Sequence, residues 1–320
     1  MTTLCRYALV ALVVFLAALH SSEACAGKKI GVFLYSSEIR YVDAFRGFKD
    51  GMKLEGFGEP ETTYLLENAN GNKATAAGLV TKFAKSNMDL YFTAGTSATI
   101  LLSKNITDKP VVFSAVYDPV KSGIARSWRS SGNNTTGTST IIPMSILLDT
   151  LKLLKDVKRL AVLYNPGELN SEYVLRDLMD LQQSRGLKVL PVPTTKKEDV
   201  IAVLPEVMRT SDAVYVTGSN LVNSQLTYIM EMAAKYRTVT ITHLDDLVEK
   251  GVLLGVTSSS YQIGFQAGEK AAKILKGAKP ASLPIETVKR PVIVLNQRSA
   301  QAAQIQIPDK LAKIIDRKIK

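Results

Sequence analysis

The chain has 320 residues, 46% of them hydrophobic and 22% charged, with a net charge of +11 and two cysteines. Domains of ~100–200 residues make two the expected number, and this composition excludes disordered, collagen-like and multi-span membrane classes. Lysines and arginines are scattered, with no block longer than pairs such as Lys28-Lys29 and Lys196-Lys197, so the basicity reads as a solvated surface and no nucleic-acid partner is expected.

Ala8–Leu19 is the one long unbroken apolar run, and its 12 residues fall short of the ~20 that span a bilayer. With Arg6 before it and Ala24-Cys25-Ala26 after it, the run has the build of an export signal cleaved before Gly27. The first segment, 1–26, is therefore assigned to a leader and the mature protein to the periplasm or another extracytoplasmic space. Lipoprotein processing at Cys25 is the alternative. Cys5 and Cys25 both lie in the leader, and His243 is the only histidine beyond it. Cysteine nucleophiles, thiolate metal sites and a histidine-rich zinc site are thereby excluded, and neither a cofactor nor a metal is expected.

Apolar β-rich runs then alternate with runs of helical period, the pattern of a parallel α/β sheet. Strands are predicted at Lys29–Tyr35, Thr63–Leu66, Asp89–Thr93 and Pro110–Ala115. Helices are predicted at Glu38–Leu54, Lys73–Lys85 and Ser97–Ser103. Ser130–Gly137 has the composition of a polar linker. From Lys158 the order starts again: strand 158–163, helix Ser171–Arg185, strand Lys188–Val192, helix Glu198–Arg209 and strand Ala213–Val216. Glu168 follows the first strand of this second set as Glu38 follows that of the first. Strands at Thr238–Thr242 and Val252–Val256, a helix at Tyr261–Leu275 and a strand at Val288–Leu295 complete the chain. One α/β lobe is used twice.

In open parallel sheets, ligands bind beyond the carboxyl ends of the strands. Here those places hold Tyr35-Ser36-Ser37-Glu38, Gly95-Thr96-Ser97 and Tyr117-Asp118-Pro119 in the first lobe. The second offers Tyr164-Asn165-Pro166-Gly167-Glu168, Gly218-Ser219-Asn220 and His243-Leu244-Asp245. Thr96 and Ser97 open a helix, where they either cap it or seat a carboxylate. Asp118 either binds a cationic group or makes an Asp-Pro turn. Tyr35, Tyr117 and Tyr164 either stack on a ligand or cover the sheet edge. Gly56-Phe57-Gly58 does not follow a strand and has Glu61 where a final glycine belongs. Phosphate loops, H-E-x-x-H and G-x-S-x-G are absent. His243 with Asp245-Asp246 is the only acid–histidine cluster, and no enzyme is expected.

Val111-Val112-Phe113-Ser114-Ala115-Val116-Tyr117-Asp118-Pro119-Val120, Gly132-Asn133-Asn134-Thr135-Thr136-Gly137 and Val162-Leu163-Tyr164-Asn165-Pro166 together resemble the ABC transporter substrate-binding family of the tryptophan/tyrosine-binding type. Gly277–Pro284, Leu295-Asn296 and Ile307-Pro308 extend the resemblance almost to the end. It implies a type I periplasmic-binding-protein fold: two Rossmann-like lobes with parallel sheets, joined by three crossover segments at Thr138–Ile142, Thr257–Ser260 and Lys289–Ile293. Lobe 1 would comprise 27–140 plus 259–290, and lobe 2 would comprise 141–258 plus 291–320. The resemblance also implies a monomer that passes a small ligand to an ABC transporter permease without chemistry on it. A sensory protein that presents its closed form to a membrane receptor would look the same. The expected ligand is an amino acid or similar zwitterion, aromatic by preference. Thr96 and Ser97 would hold its carboxylate, Asp118 its cationic end, and Tyr35 or Tyr117 its side chain. Ser36, Asn165, Ser219, Asn220 and His243 would supply the remaining contacts. One departure stands out: aromatic-binding members carry an Asp where this chain has Ser219, which removes a carboxylate from lobe 2.

Overall fold

The computed structural model describes residues 27–320, so the expected leader with Cys5 and Cys25 lies outside the described residues. β1 (Lys28–Leu34), β2 (Thr62–Asn68), β3 (Leu90–Ala94), β4 (Val111–Val116) and β5 (Thr135–Ser139) form one parallel sheet, ordered β2-β1-β3-β4-β5. The second sheet is built from β6 (Arg159–Tyr164), β7 (Lys188–Pro193), β8 (Ala213–Val216), β9 (Val239–Leu244), β10 (Leu254–Ser258), β11 (Val292–Asn296) and β12 (Arg317–Ile319). Its order is β12-β11-β10-β9-β8-β6-β7, and β11 runs antiparallel to β10. Inner strands β3, β4 and β8 are buried at every position. Helices cover both faces of such strands, which is why they read as unbroken apolar runs. Among the described residues no helix is long and apolar enough to cross a membrane.

The chain passes from the first sheet to the second after β5, returns after β10, and crosses again before β11. On the return, Glu286 pairs beside β5, with its amide on the Gly137 carbonyl and its own carbonyl accepting from the Ser139 amide. Helix Ser260–Leu275, although it follows a strand of the second sheet, packs on helix Ile39–Leu54 of the first lobe. Four glycines make that contact possible. A Cβ at Gly47 would lie 2.1 Å from the Tyr261 carbonyl oxygen, and one at Gly51 2.2 Å from that of Phe265. From the other helix, Gly264 would meet the Ala44 carbonyl oxygen at 2.0 Å and Gly268 that of Phe48 at 2.2 Å. Each helix thus presents two glycines four residues apart on one face, and the backbones touch.

Several elements differ from the sequence expectation, the unanticipated helix Met144–Leu154 among them. The linker-like segment ends in strand β5, buried along its length. Its polar residues are accommodated because their hydroxyls find partners: Thr136 donates to the Leu283 carbonyl at 3.0 Å and Thr138 to the Ile263 carbonyl at 2.8 Å. A helix at Leu226–Tyr236, buried through Leu226, Ile229, Met232 and Ala233, was not anticipated. The basic tail ends in β12, a short edge strand whose Arg317 and Lys318 are exposed, a placement that discourages pairing with other chains.

The glycine contact makes a paired prediction. Gly264→Ala should destabilise the protein by about 1–3 kcal/mol through overpacking. Gly78→Ala, in a helix with nothing within 4 Å of its Cβ position, should stabilise it by about 0.5–1 kcal/mol. Urea denaturation of both variants checks the pair; equal effects would refute the backbone contact.

Candidate ligand-binding cleft

The loops at the carboxyl ends of the two sheets face each other across a cleft of about 530 Å³. Tyr35, Ser36, Glu38 and Lys73 line it from one side, and Asn165, Glu168, Lys197, Asn220 and Lys250 from the other. The lobes touch directly: the Ser36 hydroxyl donates to Asn220 Oδ1 at 3.3 Å and the Asn223 amide to Glu38 Oε2 at 3.4 Å.

Beneath this cleft lies a buried ion cluster. Arg40, on the first turn of helix Ile39–Leu54, sends Nη1 to Asp246 Oδ2 of the other lobe at 2.9 Å. The same guanidinium pairs with Glu38 and reaches the Gly218 carbonyl at 3.4 Å. Burial opposes the charge on Arg40, but Asp246 and Glu38 outweigh it and hold the group protonated. Burial raises the pKa of Glu38, a shift Arg40 partly offsets. Lys250 Nζ lies 3.6 Å from the same Asp246 oxygen. A second interlobe set surrounds Asp177, which accepts from the Tyr117 hydroxyl at 2.7 Å and pairs with Lys121 at 2.6 Å.

Of the residues singled out from sequence, the fold brings Tyr35, Ser36, Asn165 and Asn220 to the cleft wall. Ser219 is buried behind Asn220 and caps the short helix that follows, accepting from the Val222 amide at 3.3 Å. Thr96 is buried, its hydroxyl oxygen accepting from the Tyr117 amide at 3.4 Å, and Ser97 is half-buried on the same first turn. Asp118 Oδ1 accepts the amides of Val120 and Lys121 at 3.0 and 2.9 Å, so the carboxylate organises its own turn. Just before it, Ala115 has φ 55° and the β4–β5 register shifts, which re-aims the end of β4 toward the other lobe. Tyr117 is buried, edge-on to His243 with ring centroids 5.1 Å apart.

The acid–histidine cluster is divided among three tasks. Asp245 caps helix Ser260–Leu275 through the Ser260 amide and hydroxyl at 3.0 and 2.7 Å. Asp246 binds Arg40. His243 Nδ1 lies 2.6 Å from the Tyr215 hydroxyl, which donates to it when the ring carries its proton on Nε2.

Arg40, Glu38, Glu168 and Asp246 were not selected from sequence. A signal for three of them existed: Glu38 and Glu168 occupy corresponding loops of the two repeats, and Arg40 is the lone charged residue among the buried positions of an otherwise apolar helix face.

Burial, and secondarily Arg40, push the pKa of His243 from 6.5 down to about 3. The unfolded chain therefore binds more protons between those values. The contribution of His243 to stability is intact above pH 6.5 and is lost progressively as pH falls toward 3, by up to about 1.4 kcal/mol per pH unit. His243→Gln should flatten this slope. Urea unfolding of both proteins at pH 7 and 5 checks it; parallel slopes would contradict it.

Comparison with known proteins agrees with this architecture. A family model described as ABC transporter substrate binding protein matches residues 29–319. A tyrosine-binding protein of Clostridioides difficile (strain R20291) is 24% identical over 281 residues, covering 87% of this chain and 81% of its own length. The fold is similar to that of a Streptococcus pneumoniae ABC domain solved in complex with L-Trp, with a TM-score of 0.86 at 24% identity, covering 92% of this chain and 100% of that one. A substrate-binding protein with adhesive properties from Clostridium difficile, solved ligand-free and open, gives a TM-score of 0.72 at 27% identity, covering 92% of this chain and 100% of that one. With the family model spanning nearly the whole described chain, this protein belongs to the ABC transporter substrate-binding protein family.

Proposed function

We propose that the protein is an exported binding protein that captures one amino acid, aromatic by preference, between its lobes and delivers it as a monomer to an ABC importer. The observation that carries this reading is the composition of the cleft wall. Carboxylates (Glu38, Glu168), ammonium groups (Lys73, Lys197, Lys250) and amides (Asn165, Asn220) come from both lobes, a mixture of signs that suits a small zwitterion better than a sugar or an anion. Tyr35, buried at the end of β1, is the aromatic surface on that wall.

The better match to the tryptophan-complexed neighbour than to the ligand-free open one supports reading this conformation as the closed form. Direct contacts such as Ser36–Asn220 form only when the lobes meet. Ligand bound to both walls therefore favours closure by its differential affinity for that state. The lobes we assign are 27–140 plus 259–290 and 141–258 plus 291–320, preceded by a leader cleaved before Gly27.

Native mass spectrometry of the exported protein should find one small molecule per chain, and calorimetry should then show 1:1 binding of L-tyrosine or L-tryptophan. A co-purified sugar or purely anionic solute, with neither amino acid binding, would overturn the ligand reading while leaving the fold intact.

A further inference from the structure

Glu168 differs from the other carboxylates gathered near the cleft. Glu38 is paired with Arg40, Asp246 with Arg40 and Lys250, and Asp118 lies 3.9 Å from the Lys121 ammonium. Asp245 is taken up by the Ser260 amide and hydroxyl. Among the described residues, no lysine or arginine nitrogen lies within 4.0 Å of Glu168. Its carboxylate is nevertheless firmly oriented. Oε1 accepts from the Asn165 side-chain amide at 2.8 Å and the Ser219 hydroxyl at 3.0 Å, and Oε2 accepts from the Asn220 backbone amide at 2.9 Å. An ionised carboxylate has about four lone-pair sites. Three are used, and the remaining one belongs to Oε2, on a side chain that lines the cleft.

We infer that Glu168 is the specificity-determining residue that receives the ligand's α-ammonium group, set in place by Asn165, Ser219 and Asn220. This rests on the amino-acid reading above and deepens it. Three donors, none of them cationic, fix the direction of the carboxylate and leave its charge uncompensated. A partly buried carboxylate in that state gains most from an ammonium group supplied by a ligand. The Ser219 hydroxyl points at Glu168, where an Asp at the same position would repel it. Across the cleft, Tyr35 is close enough for the charge on Glu168 to help raise its pKa, after burial. An ammonium held by Glu168 therefore places the rest of the amino acid toward the Tyr35 ring. Asp118, by contrast, spends its carboxylate on its own turn and on Lys121.

The test is calorimetry with L-tyrosine and its des-amino analogue 3-(4-hydroxyphenyl)propionate, on the wild type, Glu168→Gln, and Glu168→Gln combined with Ser219→Asp. Wild type should prefer L-tyrosine over the analogue. Glu168→Gln should weaken L-tyrosine about ten- to a hundredfold, the range of a lost charge-assisted hydrogen bond, and leave the analogue unchanged or tighter. Adding Ser219→Asp should restore most of the preference. Equal weakening of both ligands would mean that Glu168 only positions the 219–220 loop, and would overturn the assignment. So would a wild type that does not distinguish the two, or collapse of the preference in Asp118→Asn but not in Glu168→Gln. A wild type that binds neither L-tyrosine nor L-tryptophan overturns the amino-acid reading itself, and the assignment with it.

Discussion

A guanidinium buried between two lobes must find its counter-charges there, and Arg40 takes one from each side: Glu38 from its own lobe and Asp246 from the other. In an open form both ions would regain water, and Asp246 would keep Lys250 nearby. Bringing the lobes together would trade that hydration for a buried pair, an exchange that roughly breaks even. The pair consequently contributes little net driving force, yet it permits few arrangements, because an offset closure would strand two charges in a dry interface. The register in which the two lobes meet is set by that constraint. Other contacts across the interface depend on this register. Ser36 meets Asn220, and Tyr117 with Lys121 meets Asp177.

The glycine-lined contact between helices Ile39–Leu54 and Ser260–Leu275 complements it. A chain segment that leaves the second sheet after β10 is locked into the first lobe by backbone contact at Gly47, Gly51, Gly264 and Gly268. Arg40 lies on the first turn of one of those helices, and Asp245 caps the first turn of the other. The Asp245-Asp246 pair thus contacts both of these helices at once. Backbone packing there fixes where the ion cluster can form.

Much of this was legible along the chain, because burial on both faces of a parallel strand leaves an unbroken apolar run that needs no alignment to see. β1, β3, β4, β6 and β8 fall within a residue or two of their expected positions. β5 was hidden, since its threonines, Ser139 and Gly137 imitate a linker and reveal a strand only once Leu283 and Ile263 supply acceptors from distant parts of the chain. Helix Leu226–Tyr236 was missed although Leu226, Ile229, Met232 and Ala233 give it a buried face at helical spacing. At the cleft, strand-end loops were found by topology alone, which gave Tyr35, Ser36, Asn165 and Asn220. What topology could not give is which charges pair across lobes. Arg40 and Asp246 are 206 positions apart, and no local pattern announces such a meeting. The repeat did carry one usable hint, since Glu38 and Glu168 hold corresponding places and both reach the cleft.

The most direct test of the account is small-angle scattering from the wild type with and without saturating L-tyrosine. Hinged lobes that close on a shared ligand and lock in the Arg40–Asp246 register predict a larger radius of gyration for the ligand-free protein. They also predict a ligand-bound profile that matches the structure described above. Superimposable profiles from a sample that calorimetry shows to be saturated would contradict it.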